Sequence, residues 1–310
     1  MIATVGAKTD TGRVRRDNED NYLILDVATG RAWTAKQEER QPFRFEIGAR
    51  GLVVAVADGM GGALAGDVAS RMAVETVREM IAPLRDAPGI CAAQKSLTEC
   101  LREAVIYTNL VIHHRSLDDP RCNGMGATFT GAAIESGGQL GLVQIGDSRA
   151  YLLREKRIKL LTRDQSLVQN LIDTGQISEE EARTHIFRNV ILQALGAQSE
   201  IWPVTSRVAL CSDDLLLLCS DGLSNKLEAE EMRDLLLENR DDLRAACEKL
   251  VACANERGGE DNITVVAVHL TGDDLPAADS TEIAIETLPI VDAPDETTEA
   301  PSTDHRDGSA

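Results

Sequence analysis

Residues 51–62 read GLVVAVADGMGG: an uncharged apolar run, then an aspartate, then a methionine set among glycines. The run Gly51–Ala57 has the length and β-branched content of a strand, and the glycines that follow punctuate it. Outward from this stretch the same pattern returns at Leu140–Ile145, Leu215–Cys219 and Ile263–Leu270. Several of these runs are continuously apolar rather than alternating, so both faces of their sheet are expected to be covered. Between them, Ala63–Met80, Ser96–Arg115, Glu228–Glu238 and Asp241–Glu256 space their apolar residues by three and four, as amphipathic helices do. Strands arrive in clusters instead of alternating one by one with helices. That order predicts an α+β layered fold rather than a doubly wound sheet.

The chain of 310 residues is 43% hydrophobic, enough for one large core or two small ones. Aromatics make up only 3%, so Leu, Val, Ile and Ala must fill the interior. The net charge is −19, of which −10 falls on Asp273–Ala310, with eleven acidic residues against Arg306 alone. This balance excludes a nucleic-acid binder, which needs a basic face, and suits a protein that collects divalent cations. The stretch after Gly272 also holds four of the nine prolines and no aromatics. It is expected to be a disordered acidic tail, 273–310, following a catalytic domain of residues 1–272. The apolar patch Ile283–Val291 within it is read as solvated with the rest, docking being the other reading. Residues Thr29–Arg50 read as a polar excursion between two strands. Seven cysteines contain no CxxC, and an odd count without a framework points to a reducing compartment. No signal-like apolar core opens the chain and no run approaches the roughly 20 residues of a membrane span. A cytoplasmic protein without membrane or nucleic-acid partners is expected, most simply a monomer.

The chemistry lies at the strand ends. Asp58 closes GLVVAVA, Asp147 follows LGLVQIG, Asp221 follows LLLLCS, and Asp261 stands directly before NITVVAV. A further acidic element, Asn18-Glu19-Asp20, precedes YLILDV. A charge abutting a buried strand is costly unless paired or metal-bound, which suggests that these aspartates converge on one rim. Oxygen donors favour Mg²⁺ or Mn²⁺ over zinc, and the five histidines include no HExxH. Two such ions side by side turn a bridging water into a nucleophile near neutral pH. The glycines after Asp58 let backbone approach closely, so a carbonyl there is a further candidate ligand. Each signal has a plainer reading alone. An Asp-Gly after a strand is most often a turn, Asp147 in GDSR caps a turn beside Arg149, and Asp261 in EDNIT turns into the last strand. Their conjunction in one order carries the weight.

That ordered set, TGRVRRDNED, VADGMGG, GATFTGA, IGDSRAYLLR, CSDGLSNKL and GGEDNITVV, resembles the metal-dependent protein phosphatases of the 2C type, the PPM family. The resemblance is closest to the prokaryotic branch and spans about residues 1–270. It implies a β-sandwich of two mainly antiparallel sheets flanked by helix pairs, α-β-β-α, with a metal cleft at one end. It implies two core Mn²⁺ or Mg²⁺ ions and a third, weaker one. Asp58 would bridge the core ions, and the Gly59 carbonyl would bind one of them. Asp221 and Asp261 would complete the other site. Glu19 and Asp20 would hold coordinating waters, and Asp147 with Asp221 would form the third site. Arg15 matches the arginine that grips the substrate phosphate, a task suited to the guanidinium fork, with Arg16 as the alternative. Arg149 reads as a structural ion-pair partner.

Some positions depart from the family pattern. Met60 stands where many eukaryotic members have a histidine, which leaves a metal-bound water as the acid for the leaving group. Gln165 in RDQS stands where histidine is usual, and HIFRN lacks a proline after His185. Both border a flap-like segment, Ser166–Asn189, and His185 reads as structural. The implied activity is a protein serine/threonine phosphatase that hydrolyses phosphoserine and phosphothreonine by attack of a metal-bridging hydroxide, without a phosphoenzyme. The implied partners are phosphorylated proteins, targets of a serine/threonine kinase or the kinase itself. Two alternatives stand beside this: a non-catalytic, partner-binding pseudophosphatase, and a small-molecule phosphoesterase on the same metals.

Overall fold

The uninterrupted apolar strands divide their side chains between separate cores. In Leu52–Met60 (β5), Val54 and Val56 enter one buried cluster, while Val53, Ala55 and Ala57 enter another. In Leu215–Cys219 (β12), Leu216 and Leu218 join the first cluster, and Leu215, Leu217 and Cys219 join a third. Ile263–Thr271 (β13) divides in the same way, with Val266 and Val268 facing inward and Val265 and Ala267 outward. Side chains alternate across a strand with a period of two. A strand apolar at every position must therefore be covered on both faces, and these are.

The structure, a computed structural model, describes residues 1–35, 42–61, 65–86, 95–278 and 282–289. One sheet runs from Arg157–Leu160 (β10) through Arg149–Arg154 (β9), β12, β13 and Ile2–Asp10 (β1) to Phe43–Glu46 (β4). The other runs from Glu286–Thr287 (β14) through Val204–Ala209 (β11), Gln139–Ile145 (β8), Phe129–Glu135 (β7), β5 and Asp20–Asp26 (β2) to Arg31–Thr34 (β3). The short Gly126–Ala127 (β6) pairs with the end of β5. Every pairing described is antiparallel.

Helices Ala65–Ile81 (α1) and Leu97–Asp118 (α2) cover the second sheet through the second cluster. Ala229–Glu238 (α6) and Leu243–Glu256 (α7) cover the first sheet through the third cluster. The layering is α-β-β-α, an α+β sandwich. The predicted helices differ only at their ends. For example, α2 starts one residue later because Ser96 is its cap: its hydroxyl accepts from Glu99 N at 3.2 Å while the Glu99 carboxylate accepts from Ser96 N at 2.6 Å. Two short helices, Leu167–Asp173 (α3) and Glu179–Thr184 (α4), form the flap-like segment.

Two expectations need correction. Residues 29–50 are not simply a polar excursion, since 31–34 and 43–46 are edge strands of opposite sheets. Trp33, Phe43, Phe45 and Ile47 are buried in the central core, the indole 4.8 Å from the Phe43 ring and 5.4 Å from the Phe45 ring. The alternation at 43, 45 and 47 provides one apolar face inside a stretch that is polar on average. Residues 36–41 lie outside the described set.

The boundary at 272 is also wrong, because part of the acidic segment docks. Leu275 and Ile283 are buried in the central core, and β14 pairs antiparallel with the edge strand β11. Beneath it, Arg154 makes a two-pronged ion pair with the wholly buried Asp214, at 2.9 and 2.8 Å, and donates to the Glu282 carbonyl at 3.1 Å. The Ile283 carbonyl accepts from Lys159 Nζ at 2.7 Å. The segment's average composition conceals two well-placed apolar anchors and a row of backbone groups that a sheet edge can use. Residues 290–310 lie outside the described set.

Candidate active site

Strand register assembles the site. Full-length pairing of β1 with β13 ends at Asp10↔Ile263, which places the loop 11–19 beside residues 259–262. Pairing of β2 with β5 ends at Asp20↔Asp58. On the neighbouring strand of the first sheet, β12 stops at Cys219, so Ser220 stands just ahead of the short helix Asp221–Ser224 (α5), whose first residue is the next carboxylate. These ends open on a cleft of about 620 Å³, lined among others by Arg15, Arg16, Glu19, Asp58, Gly59, Met60, Asp147, Asp221 and Asp261. Seven of the eight predicted site residues thus share one cleft. Asp20 lies behind them, buried, with its Oδ2 accepting from Ser220 Oγ at 2.7 Å.

Close backbone approach is built in at Gly59, whose amide donates to the Glu19 carbonyl at 3.1 Å. A Cβ at Gly59 would stand 2.1 Å from the Gly66 carbonyl oxygen and 2.7 Å from that of Glu19. No side chain fits there, so the glycine is needed for contact rather than for its dihedral freedom.

The carboxylates crowd one another out of water. Burial, then the neighbouring charges of Asp20, Asp221, Asp147 and Asp261, holds Asp58 well above the usual carboxylate range. Burial lifts Asp20 and Asp147 to about 7, with Asp221 adding to both. Asp221 rises to about 6 through burial and the charge of Asp261. Burial raises Glu19 as well. Such repulsion is destabilising unless a cation relieves it.

The donor set fits a divalent ion. Among the described residues, Asp20, Asp147 and Asp221 each bury one Oδ1 with no hydrogen-bond partner, where such orphans are rare. No three acidic, histidine or cysteine side chains are drawn close enough to enclose an ion among the described residues. An open site is consistent with that, because Mg²⁺-type ions keep several waters and take only one or two carboxylates each.

Arg15 projects into the cleft mouth, with Nη2 2.7 Å from Asp261 Oδ2, and this hydrogen bond holds its pKa above the ordinary value. Arg16 lines the same cleft. Arg149 is an ion-pair residue, but its partner is Asp164, gripped at 2.9 and 2.7 Å, rather than Asp147. His185 accepts from Phe187 N at 3.2 Å within its own turn.

Sequence reasoning missed the residues that hold the site in place. Buried Asn262 accepts from Glu19 N at 2.8 Å and donates to the carbonyls of Thr11 and Asp17 at 2.9 and 3.0 Å. It thereby clamps the whole Arg15-bearing loop. Thr128 accepts from Asp58 N at 3.0 Å and meets Ser148 Oγ at 2.7 Å. Thr128, Ser148 and Asn262 lie inside the quoted motifs GATFTGA, IGDSRAYLLR and GGEDNITVV, with Ser148 and Asn262 directly after Asp147 and Asp261, but nothing local assigns them a partner.

A second hollow, of about 450 Å³ between Gly30 and the end of α1, is lined by the adjacent charges Arg78, Glu79, Arg85 and Asp86. Its charges pair within the hollow, Arg78 with Glu79 and Arg85 with Asp86, so no excess of one sign converges there.

Residues 35–265 match the family described as "Protein phosphatase 2C". The "Serine/threonine phosphatase stp" of Listeria welshimeri is 38% identical over 262 residues, spanning 84% of this chain and 94% of that protein. The crystal structure of the Mycobacterium tuberculosis serine/threonine phosphatase PstP/Ppp superposes with a TM-score of 0.70 at 32% identity, covering 88% of this chain and 100% of that one. A structure of the PstP catalytic domain "in complex with 2 Manganese ions" gives a TM-score of 0.69 at 32% identity over the same shares.

Proposed function

Since the chain belongs to the protein phosphatase 2C family, we propose that it is a metal-dependent protein serine/threonine phosphatase whose cleft holds two Mn²⁺ or Mg²⁺ ions and a third, weaker one. One observation carries the reading: Asp58, Asp147, Asp221 and Asp261 come from four separate strand ends into one cleft, with buried oxygens left unpartnered around it. Asp58 stands at the centre and would contact both core ions, with the Gly59 carbonyl beside it. Asp221 and Asp261 would serve one of them, Asp147 with Asp221 the third ion, and Glu19 and Asp20 the surrounding waters. Bound there, the cations supply an acidified water as nucleophile and positive charge for the phosphoryl oxygens.

No serine, threonine, cysteine or histidine is among the lining residues in the described set, and with the lining aspartates Asp58, Asp147, Asp221 and Asp261 engaged as ligands, water is left as the nucleophile. Met60 at the cleft has no proton to give a leaving group. Arg15 would exchange its single bond to Asp261 for a substrate phosphate, to which the guanidinium can offer two donors. The substrates would be phosphoserine and phosphothreonine in proteins, placed there by a serine/threonine kinase, or that kinase itself. No helix among the described residues is long and apolar enough to cross a membrane, and the described cysteines are free thiols.

EDTA is expected to abolish hydrolysis of a phosphopeptide panel, and Mn²⁺ or Mg²⁺ to restore it, with nucleotide and sugar phosphates turned over poorly. Chelator-resistant turnover by pure protein would sink the mechanism. Preference for the small phosphates would move the chain to small-molecule chemistry, and no turnover with any substrate would make it a pseudophosphatase.

Arg15→Ala should chiefly raise KM for a phosphopeptide, because the phosphate carries its charge in the ground state too. Unchanged kcat/KM there, beside a large loss in Arg16→Ala, would reassign the grip to Arg16.

A further inference from the structure

Gly146, the residue before Asp147, is held on every side. Its φ is +96°, and a Cβ would meet the Thr128 side chain at 2.7 Å. Its amide donates to Gln165 Oε1 at 2.7 Å, and its carbonyl accepts from Gln165 N at 2.9 Å. The same carbonyl accepts from Gln144 Nε2 at 3.2 Å, and Gln144 Oε1 in turn accepts from Arg163 N at 3.2 Å. Gln165 also faces the other way, for its own carbonyl accepts from Leu192 N at 2.8 Å. Next to it, Ser166 pairs with Ile191, a residue that lines the cleft. One residue, through its side chain on one side and its backbone carbonyl on the other, thus joins the turn that carries Asp147 to the chain segment that borders the cleft at the base of the flap.

We propose that Gln165 is a positioning residue: it holds the peptide groups on both sides of Gly146, the N–H of one and the C=O of the next, so aiming the Asp147 carboxylate at the cleft and tying that aim to the segment 189–192. This rests on reading the cleft as a metal site. The physical basis is the two-residue leverage of a turn. Asp147 follows a glycine whose φ of +96° lies outside the range most residues adopt, and hydrogen bonds to the peptide groups on either side of it resist rotation there. The side-chain bond is the removable part of the clasp, since the bond from Gln165 N survives any substitution except proline. Groups that orient a metal ligand without touching the ion typically alter affinity by about 10–100-fold when lost.

The test uses the full metal-free chain. Gln165→Met keeps length and volume but cannot accept from the Gly146 amide, whereas Gln165→Glu keeps an acceptor at the same reach. Stepwise Mn²⁺ binding is read by titration calorimetry, exchange of the Gly146 amide by NMR, and Tm by calorimetry. In Gln165→Met the weakest Mn²⁺ step should weaken by about tenfold or more while the tighter steps hold. The Gly146 amide should exchange faster, Tm should change little, and Gln165→Glu should bring the weak step back. Wild-type stepwise affinities in Gln165→Met would overturn the proposal, as would an equal loss at every step together with a fall in Tm, which is general loosening. Failure of Gln165→Glu to recover the weak step would also overturn it. Absence of Mn²⁺ binding by the wild type would overturn the metal-site reading and this inference together.

Discussion

Asp58→Asn is expected to leave less than about a hundredth of wild-type turnover, a barrier increase of roughly 2.7 kcal/mol or more. The carboxylate sits at the end of β5, opposite Asp20 in the register and among the charges of Asp221, Asp147 and Asp261. A neutral amide of the same size cannot serve two cations at once. The substitution also removes one of several mutually repelling buried charges, so the metal-free variant should melt no lower than the wild type. Lost turnover with an undiminished Tm separates chemistry from folding. Turnover above about a tenth of wild type, a change of only about 1.4 kcal/mol, would take the bridging role from Asp58.

Truncation after Gly272 should lower Tm by roughly 6 °C or more, measured by differential scanning calorimetry. Leu275 and Ile283 are buried in the central core, and burying each contributes about 1.5–3 kcal/mol. Their removal also bares β11 as an open sheet edge and takes from Arg154 the Glu282 carbonyl. Arg154→Met in the full chain tests the underlying ion pair by itself. It leaves Asp214 buried and without its cation, at a cost of about 3–5 kcal/mol. Turnover of a short phosphopeptide, assayed well below either melting point, should survive both changes, because no cleft residue lies after Asp261. An unchanged Tm in the truncated chain would show that the segment adds nothing to the fold.

What could be read along the chain was whatever short stretches encode by themselves. A run such as Leu215–Cys219 is apolar at every position, and that alone demands cover on both faces of its sheet; the four-layer order came from the family resemblance. An aspartate at the end of such a run is legible because a buried charge needs a partner. The same holds for Asp58, Asp147, Asp221 and Asp261 as a set. What only the tertiary structure decided depends on residues far apart in sequence. Asn262 fixes the amide of Glu19 across 243 positions, Ser220 supports Asp20 across 200, and Arg154 holds Asp214 and reaches Glu282. A single asparagine, serine or arginine has no local pattern to announce such a partner, since its hydrogen bond exists only once the register brings the two strands level. The docked segment after Gly272 misled for the same reason. Its charge and prolines describe an average, while Leu275 and Ile283 matter because distant strands build the central core in which both are buried.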